Sequence, residues 1–551
     1  MPKLKALEQL AAWRERYPAP CQAACPVHTD ARGYVTLVGE GRFEEAFVAA
    51  RGPNPFASIC GRACSAPCED VCTRGEFDQP IKIRKLKRFL TDRYQANFAD
   101  AAQASSTGLR VAVVGAGPAG LAAAHDLALL GHAVTVFEAA PEPGGMALLG
   151  VPRFRLSHAA ITRDMDSILA LGVEVRTGTR VGSDVSLEEL QRDYQAVLVA
   201  TGTMRLNSLD VPGSGLPGVV QAIPFLETAN LGGRPECGTR VAVLGGGYTA
   251  MDAARTALRL GASRVTVLYR RTRRETEVHD EELDETLHEG VTIEYLVSPV
   301  QFVPDASGHV SGVECVRNRL AEPDASGRPR PLPIPGSDFV FDCDMVILAL
   351  GQSPDPAGVD PAGAVPLREV DEETSMTSLD GVFSAGDFVS GASTIIEAVG
   401  AGRAAAASMH RYLHARFAPD ADWPEPAETI PLTAAVSPAA NGQHPAAGLS
   451  FDHEVEQTLG ERDAVADALR CLFCGLLPTV VLEACTACHA CAVICPVGAL
   501  HRVALSPTGS GVELTGQRDV LAYQVWPDEC IRCGRCFQVC PTGAIVLSGF
   551  A

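Results

Sequence analysis

What the 551-residue chain lacks narrows it first. It has no surplus of positive charge: 46 Lys and Arg stand against 66 Asp and Glu, a formal net charge of −20. A nucleic-acid or anionic-membrane surface needs a basic footprint, so neither partner is expected. No run of about 18 apolar residues occurs, so no membrane span is expected. The opening stretch MPKLKALEQLAAWRERYP mixes charges into a short helical pattern without an apolar core segment, so no secretory signal is expected. A cytoplasmic, reducing setting follows from this reading. There the 19 cysteines favour metal binding over disulfides.

The cysteines come in groups. Cys485, Cys488, Cys491 and Cys495 form C-x2-C-x2-C-x3-C before Pro496. Cys530, Cys533, Cys536 and Cys540 repeat the pattern before Pro541. The duplicated run is the signature of a two-cluster bacterial ferredoxin. In it three close thiolates hold one [4Fe–4S] cubane and the fourth crosses to the other. The expected sets are therefore Cys485, Cys488, Cys491 and Cys540, and Cys530, Cys533, Cys536 and Cys495. Zinc also takes Cys-x2-Cys pairs but explains neither the third cysteine nor the proline, twice over. His489, inside a cluster loop, reads as a bystander. Six more cysteines lie near the start: Cys21, Cys25, Cys60, Cys64, Cys68 and Cys72. Adding Cys471 and Cys474, a Cys-x2-Cys pair ahead of the ferredoxin pattern, brings that group to eight. Sixteen cysteines suit four cubanes. Cys237, Cys315 and Cys343 are scattered and read as small core residues.

The middle of the chain carries two nucleotide fingerprints. In LRVAVVGAGPAGLAAAHDLALLGHAVTVFE (109–138), an apolar strand, a Gly-rich turn, a helical pattern and a second strand follow in order. Gly115, Gly117 and Gly120 supply G-x-G-x-x-G, and Glu138 ends the second strand where a ribose hydroxyl would be met. In RVAVLGGGYTAMDAARTALRLGASRVTVLYRR (240–271), Gly245, Gly247 and Ala250 give G-x-G-x-x-A. Arg270 and Arg271 stand where the first unit has its glutamate. The pair suits a 2′-phosphate, hence NADP rather than NAD, or else forms part of a solvated charged face. Residues 382–413 read as a strand, then Gly386 and Asp387, then a helix starting near Thr394. Asp387 either contacts a flavin or only caps the turn. There is no Cys-x4-Cys after the first unit, where GGMALLGVP stands instead, so thiol–disulfide chemistry is not expected.

Over residues 18–415 the chain resembles the small, NADPH-oxidising subunit of bacterial glutamate synthase and its relatives. These include the N-terminal portion of dihydropyrimidine dehydrogenase and the large subunit of electron-bifurcating NADH-dependent ferredoxin:NADP oxidoreductase. The motifs are NPFASICGRACSAPCEDVC (54–72), GAGPAGLAAA (115–124), GGMALLGVPRFRL (144–156), LGGGYTAMDAAR (244–255), VLYRRT (267–272), and SAGD with TIIEAVGAGRAAA (384–406). The resemblance implies FAD contacts from Gly115, Gly117, Gly120, Glu138, Gly145, Met146, Arg155, Thr201, Gly386, Asp387 and Thr394. It implies nicotinamide-nucleotide contacts from Gly245, Gly247, Thr249, Ala250, Arg270, Arg271 and Gly351. One departure is informative. The family's first domain opens with R-C-x-x-C-G, which is missing before Cys21, while ALRCLFCG occurs at 468–475. Cys471 and Cys474 are therefore expected to complete a cluster with Cys21 and Cys72. Some relatives use a Gln or Glu ligand after the last N-terminal cysteine, where this chain reads IKIRKLKR. The neighbouring cluster is then expected on Cys25, Cys60, Cys64 and Cys68. A separate zinc knuckle or a free thiol pair is the other reading of Cys471 and Cys474.

The expected class is α/β: two Rossmann-like domains, the NADP domain inserted in the FAD domain. An N-terminal helical iron–sulfur domain and a C-terminal α+β ferredoxin-like 2[4Fe–4S] domain flank them. The expected boundaries are 1–105 for the N-terminal domain, 106–235 and 345–415 for the FAD domain and 236–344 for the NADP domain. A linker spans 416–465 and the ferredoxin domain 466–551. The implied activity is hydride exchange between NADP(H) and FAD, with single electrons relayed through four [4Fe–4S] clusters. No catalytic acid–base residue is expected; His279, Asp280, Glu281 and Glu282 read as a solvated helix face. Expected partners are a catalytic oxidoreductase subunit, for example of a 2-oxoacid:ferredoxin, aldehyde or formate oxidoreductase or of glutamate synthase, or free ferredoxin, in a hetero-oligomer. A non-catalytic conduit or a redox-sensing scaffold are the alternatives.

Overall fold

The computed structural model describes residues 18–97, 104–323, 327–361, 363, 366–423, 426, 435–438, 449–474, 477–481, 484–504, 521–525, 530 and 532–548. The opening helical pattern, the start of the 99–108 linker and most of 424–448 lie outside them. The chain divides into two compact units. The first comprises Met1–Pro53, Ala66–Leu90 and Leu459–Ala551, and the second Asn54–Ser65 and Thr91–Thr458. Among the described residues no helix is long and apolar enough to cross a membrane.

The second unit is built on two five-stranded parallel sheets. In the first the order is Val382–Ser384, Ala196–Val199, Arg110–Val114, Ala133–Phe137, Glu174–Arg176. In the second it is Thr292–Tyr295, Arg264–Tyr269, Arg240–Leu244, Met345–Leu348, Val219–Gln221. The central strands are near-continuous apolar runs, as strands covered on both faces must be. Val111 to Val114 and Val241 to Leu244 are all buried. The second sheet reaches past the expected 236–344 at both ends, because Val219–Gln221 and Met345–Leu348 flank Arg240–Leu244 on its far side. Arg205–Leu206 and Gln352–Ser353 pair antiparallel, so the chain enters and leaves the inserted domain as one two-stranded ribbon. An antiparallel meander packs beyond the second sheet: Val297–Pro304, Val310–Pro323, Pro329–Pro333 and Phe339–Asp342.

The 23-residue helix Ile395–Phe417 lies against Pro118–Leu129. Gly402 makes that approach possible, since a Cβ there would lie 2.0 Å from the Ala119 carbonyl. At the far end of these helices, His132 Nε2 and His410 Nδ1 share a hydrogen bond at 2.9 Å. Thr107 Oγ1 meets His132 Nδ1 at 2.9 Å, and the Trp423 ring packs on His132, His410 and His414.

Residues 449–458 belong to the second unit rather than to a free linker. Val455 N donates to Phe154 O at 2.8 Å, Ser157 N to Glu454 Oε1 at 2.9 Å, and Arg259 Nε to Ser450 O at 2.8 Å. Arg62 pairs with the same glutamate at 2.7 Å. Buried carboxylates need such partners, and Glu454, within a stretch that composition alone reads as a spacer, has them.

The first unit is formed by chain ends. Short helices Pro20–Ala23, Ala31–Gly39, Phe43–Arg51 and Pro67–Asp70 come from its start, and Glu461–Ala468 packs on Ala31–Gly39. Next come the antiparallel pairs Leu477–Val480 with Ile545–Ser548 and Leu500–Ala504 with Leu521–Val525. Helices Ala490–Ile494 and Arg535–Val539 accompany them.

Burial, then the neighbouring His410, pushes His132 down to about 4 from its ordinary 6.5. The folded chain thus disfavours its charged form, and the unfolded chain takes the proton first as pH falls. The contribution is present above pH 6.5 and is lost as pH falls through 4, up to about 3 kcal/mol. Chemical denaturation between pH 7 and 4 should show this loss, and His132→Asn should remove most of it.

Candidate functional site

Two glycine cradles open at the carboxyl ends of the two parallel sheets, where strand, turn and helix place backbone N–H groups around an anion. In the first, Gly115 has φ +105° and a Cβ there would meet the Ala200 carbonyl at 2.5 Å. Thr201 is its other close neighbour, since the same Cβ would lie 3.1 Å from Thr201 Cα. Gly120 must be bare for helix Pro118–Leu129 to close on the turn, because a Cβ would lie 2.0 Å from the Gly115 carbonyl. Gly145 (φ +53°) faces Gly117, and Gly386 (φ +67°) faces Ala119. Three glycine turns from distant sequence therefore meet at one helix N-terminus. Met146 opens the short helix Met146–Leu149 beside them. Glu138 accepts from Ala116 N and Ala140 N, both at 2.7 Å, which braces the turn. Thr394 caps Ile395–Phe417 in a reciprocal box with Glu397. Asp387 accepts from Ser393 Oγ at 2.5 Å, while burial pushes its carboxyl up.

In the second cradle, Gly245 (φ +145°) lies where a Cβ would be 2.2 Å from the Ala349 carbonyl. A Cβ on Gly247 would meet nothing within 4 Å, so open space faces the first turn of Tyr248–Leu260. Thr249 and Ala250 stand in that turn, and Gly351 (φ +84°) lies near Asn207. The Tyr269 ring covers Gly246, and its hydroxyl donates to Glu275 O at 2.7 Å. Bare glycine backbone ringed by helix N-termini fits dinucleotide phosphates in both cradles.

Two expected contacts, Arg155 and Arg271, have protein partners of their own. Arg155 is taken up by Asp252 at 2.8 Å and Glu282 at 3.1 Å, above the Tyr248 ring. It ties the 150s loop to the inserted domain's helices, because a buried guanidinium needs carboxylates close by. Arg271 is buried, and its Nε donates to Pro329 O at 2.8 Å, bracing the meander. Only Arg270 of the pair is exposed. Arg328, which the sequence reading did not place near this cradle, donates from Nη2 to Tyr269 Oη at 3.0 Å. Its distance along the chain from the fingerprint left no spacing signal.

In the first unit the cysteines gather. Cys21, Cys72, Cys471 and Cys474 line one cavity with Arg32, Val35, Thr73, Arg74 and Leu472. Burial, then the other three thiols, pushes Cys21 up to about 12. The Cys-x2-Cys segment is held from several sides. Lys82 N donates to Asp467 Oδ2 at 2.8 Å, Arg470 pairs with Asp78 at 2.9 Å, and Arg32 Nη1 donates to Cys474 O at 2.8 Å. Gly534 (φ +75°) sits where a Cβ would be 1.9 Å from Leu472 O, and Cys474 Sγ lies 3.5 Å from Cys533 O.

A second cavity is lined by Cys485, Cys488, Cys491 and Cys540. Burial first, then Cys495, holds the Cys530 and Cys533 thiols up, and burial, then Cys530, Cys533 and Cys491, does the same for Cys536. Backbone N–H groups of Ala499 and Arg532 point at Cys495 Sγ (3.2 Å) and Cys530 Sγ (3.3 Å). His489 meets Tyr523 Oη rather than a cluster position. Tyr34 is fully buried; burial first, then Cys68, Cys25 and Cys21, holds its phenol well above the usual range. Cys60 lies within the short helix Ala57–Ala63 of the second unit, with Cys64 at its C-cap. Cys237, Cys315 and Cys343 contribute to packing in the second unit. Four cysteines lining one cavity, twice, supply the thiolate set that a [4Fe–4S] cluster takes.

Three family profiles match: pyridine nucleotide-disulphide oxidoreductase over residues 109–405, dihydropyrimidine dehydrogenase domain II, 4Fe-4S cluster, over 14–98, and a 4Fe-4S dicluster domain over 484–544. The chain is 38% identical over 419 residues to the glutamate synthase [NADPH] small chain of Azospirillum brasilense, covering 72% of this chain and 86% of that protein. The chain belongs to the glutamate synthase small-chain-like branch of the pyridine nucleotide-disulphide oxidoreductases. It is 42% identical over 424 residues to the NADP(+)-dependent formate dehydrogenase subunit beta of Moorella thermoacetica, and 40% over 431 residues to the NADPH-Fe(3+) oxidoreductase subunit beta of Geobacter sulfurreducens. Each match covers 72% of this chain but only 60% and 64% of those proteins. This family member is an oxidoreductase with FAD- and NADP-type nucleotide-binding domains and 4Fe-4S domains at both ends. The disulphide of the family name has no counterpart here, since no cysteine occurs between Cys72 and Cys237.

Gly247→Val tests the second cradle. Its φ of −100° admits a side chain and nothing stands in the way, so stability should hold within about 0.5 kcal/mol. NADPH affinity, read by fluorescence titration, should fall at least about tenfold because the new methyls fill the phosphate space.

Proposed function

We propose that this chain is the electron-transfer subunit of a larger complex, exchanging hydride with NADP(H) at FAD and passing single electrons through four [4Fe–4S] clusters to or from a partner. The carrying observation is the position of Cys471 and Cys474. They share a cavity with Cys21 and Cys72, and Cys474 Sγ reaches Cys533 O at 3.5 Å. Three four-cysteine sets thus follow one another in the first unit: Cys21, Cys72, Cys471 and Cys474; then Cys495, Cys530, Cys533 and Cys536; then Cys485, Cys488, Cys491 and Cys540. Cys25, Cys60, Cys64 and Cys68 are proposed for the fourth cluster.

When bound, FAD converts a two-electron hydride into single electrons and each cubane carries one of them. The chain's residues do the rest. Gly115, Gly117, Gly120, Gly145 and Gly386 give the flavin's pyrophosphate bare backbone to approach, with Glu138, Met146, Thr201, Asp387 and Thr394 around it. Gly245, Gly247, Thr249, Ala250 and Gly351 do the same for the nicotinamide nucleotide. Arg270 is left to meet a 2′-phosphate, while Arg271 braces the meander through Pro329 O. The thiolates hold the clusters, and the N–H groups aimed at sulfur favour the reduced form by opposing its negative charge. The relatives named as subunits support a hetero-oligomer. The partner is a formate-, aldehyde- or 2-oxoacid-type oxidoreductase, a glutamate synthase large chain, or ferredoxin.

Purified anaerobically, the chain should carry about sixteen irons and sulfides with one FAD, and NADPH should bleach it. About eight irons, or no bleaching, would refute the reading. Arg270→Ala should raise KM for NADPH roughly tenfold with little change for NADH, as loss of one charge-assisted phosphate contact predicts. Arg271→Ala should instead lower stability.

A further inference from the structure

Arg32 lines the cavity of Cys21, Cys72, Cys471 and Cys474, and only 5% of its surface is exposed. Its Nη1 donates to Cys474 O at 2.8 Å. No carboxylate among the described residues lies within ion-pair distance of it. The nearest acidic residue in sequence, Asp30, is committed to the cap of Ala31–Gly39, where it accepts from Gly33 N at 2.9 Å. The other arginine of the cavity, Arg74, is neutralised in a fork with Asp78 at 2.7 and 2.8 Å. A buried cation without a counter-charge is strongly unfavourable, so the cavity beside Arg32 calls for an anion. A cubane on four thiolates is anionic and becomes more so with each electron.

We propose that Arg32 is the counter-charge of the cluster held by Cys21, Cys72, Cys471 and Cys474 and sets its reduction potential, holding it above the value the thiolates alone would give. This deepens the proposed electron-transfer reading and rests on it. A fixed positive charge close to the cluster stabilises the reduced form more than the oxidised one, because the reduced form carries the larger negative charge. The bond to the Cys474 carbonyl fixes the distance over which that charge acts. Arg32 is thus a positioning and tuning residue, touching the ligand-bearing backbone rather than the redox centre itself.

The test uses the full-length chain purified anaerobically with its clusters. Iron and sulfide are counted, and midpoints are read by potentiometric titration followed by electron paramagnetic resonance. The relevant signal is the one missing from a Cys471→Ser, Cys474→Ser double variant, which should lose about four irons. Should that variant keep all its iron, the cluster assignment itself fails, whatever Arg32 does. With the assignment standing, Arg32→Gln should keep its iron and shift this one midpoint negative. At fixed ambient potential its reduced-to-oxidised ratio should fall about tenfold, equal to about 59 mV for one electron. Arg32→Lys should stay near the parent. An unmoved midpoint in Arg32→Gln, or an equal shift in Arg32→Lys, overturns the proposal. So does loss of the four irons in both variants, which would make Arg32 an anchor only. If Arg32→Gln alone loses them, a parent-like midpoint in Arg32→Lys supports it.

Discussion

The hydrogen bond from Arg32 to the Cys474 carbonyl marks the constraint on which the first unit depends. Cys471 and Cys474 sit far along the chain from Cys21 and Cys72, and the chain must return them to within a cluster's width. Loop-closure entropy rises only logarithmically with length, so the length itself is a modest obstacle. What matters is that the returning segment has somewhere to dock. Helix Glu461–Ala468 packs on Ala31–Gly39, with Leu469 Cδ2 3.3 Å from where a Cβ on Gly39 would be. Asp467, Arg470 and Arg32 then bind main-chain groups on either side. Charge-assisted bonds to backbone, together with the Arg470–Asp78 ion pair, fix the pair in register.

The second unit answers a different constraint, the approach of phosphates to bare backbone. Gly115 and Gly245 occupy matching places after their strands, each pressed against the carbonyl of the residue just past a neighbouring strand, Ala200 and Ala349. Each sheet is thereby committed to an open cradle at its carboxyl edge. The inserted domain leaves and rejoins through the Arg205–Leu206 and Gln352–Ser353 ribbon. Arg155, Asp252, Glu282 and the Phe154 ring, with Arg259 3.7 Å above it, lock the 150s loop onto the inserted domain's helices. The relative setting of the two cradles is therefore held by buried charges whose separation would leave one of them uncompensated.

Fold class, the two fingerprints and the ferredoxin domain were legible because each is a local rule: strand, Gly turn and helix in one short window, or cysteines at fixed spacing. The Cys471–Cys474 pair was legible only as a displaced motif, since no local feature says where it docks. Arg155 and Arg271 show the limit of motif transfer. Their sequence context matches nucleotide contacts, but side-chain direction gave one to Asp252 and the other to Pro329 O. The stretch 450–456 was misread for the same reason. Composition describes it as a spacer, yet Phe451 packs on Phe154 and Glu454 pairs with Arg62. Arg32 carried no signal at all, because one arginine in the first turn of a helix has no spacing to recognise.

Relocating the Cys-x2-Cys ligands has a mechanical consequence. If both pairs came from the start of the chain, the N-terminal cluster could form on its own and the ferredoxin module would hang from it by a tether. With the second pair supplied from 471–474, the same short segment must satisfy two neighbours. Leu472 O faces Gly534 and Cys474 Sγ faces Cys533 O on one side, while Arg32 and Lys82 hold the other. On the proposed assignment, cluster binding would act as a cross-link closing a very long loop, the arrangement in which a cross-link restricts the unfolded chain most. Assembly of the first unit and continuity of its row of cysteine sets become one event. On the proposed assignment, a chain whose 471–474 segment has not docked lacks two of the four thiols that line the cavity with Cys21 and Cys72.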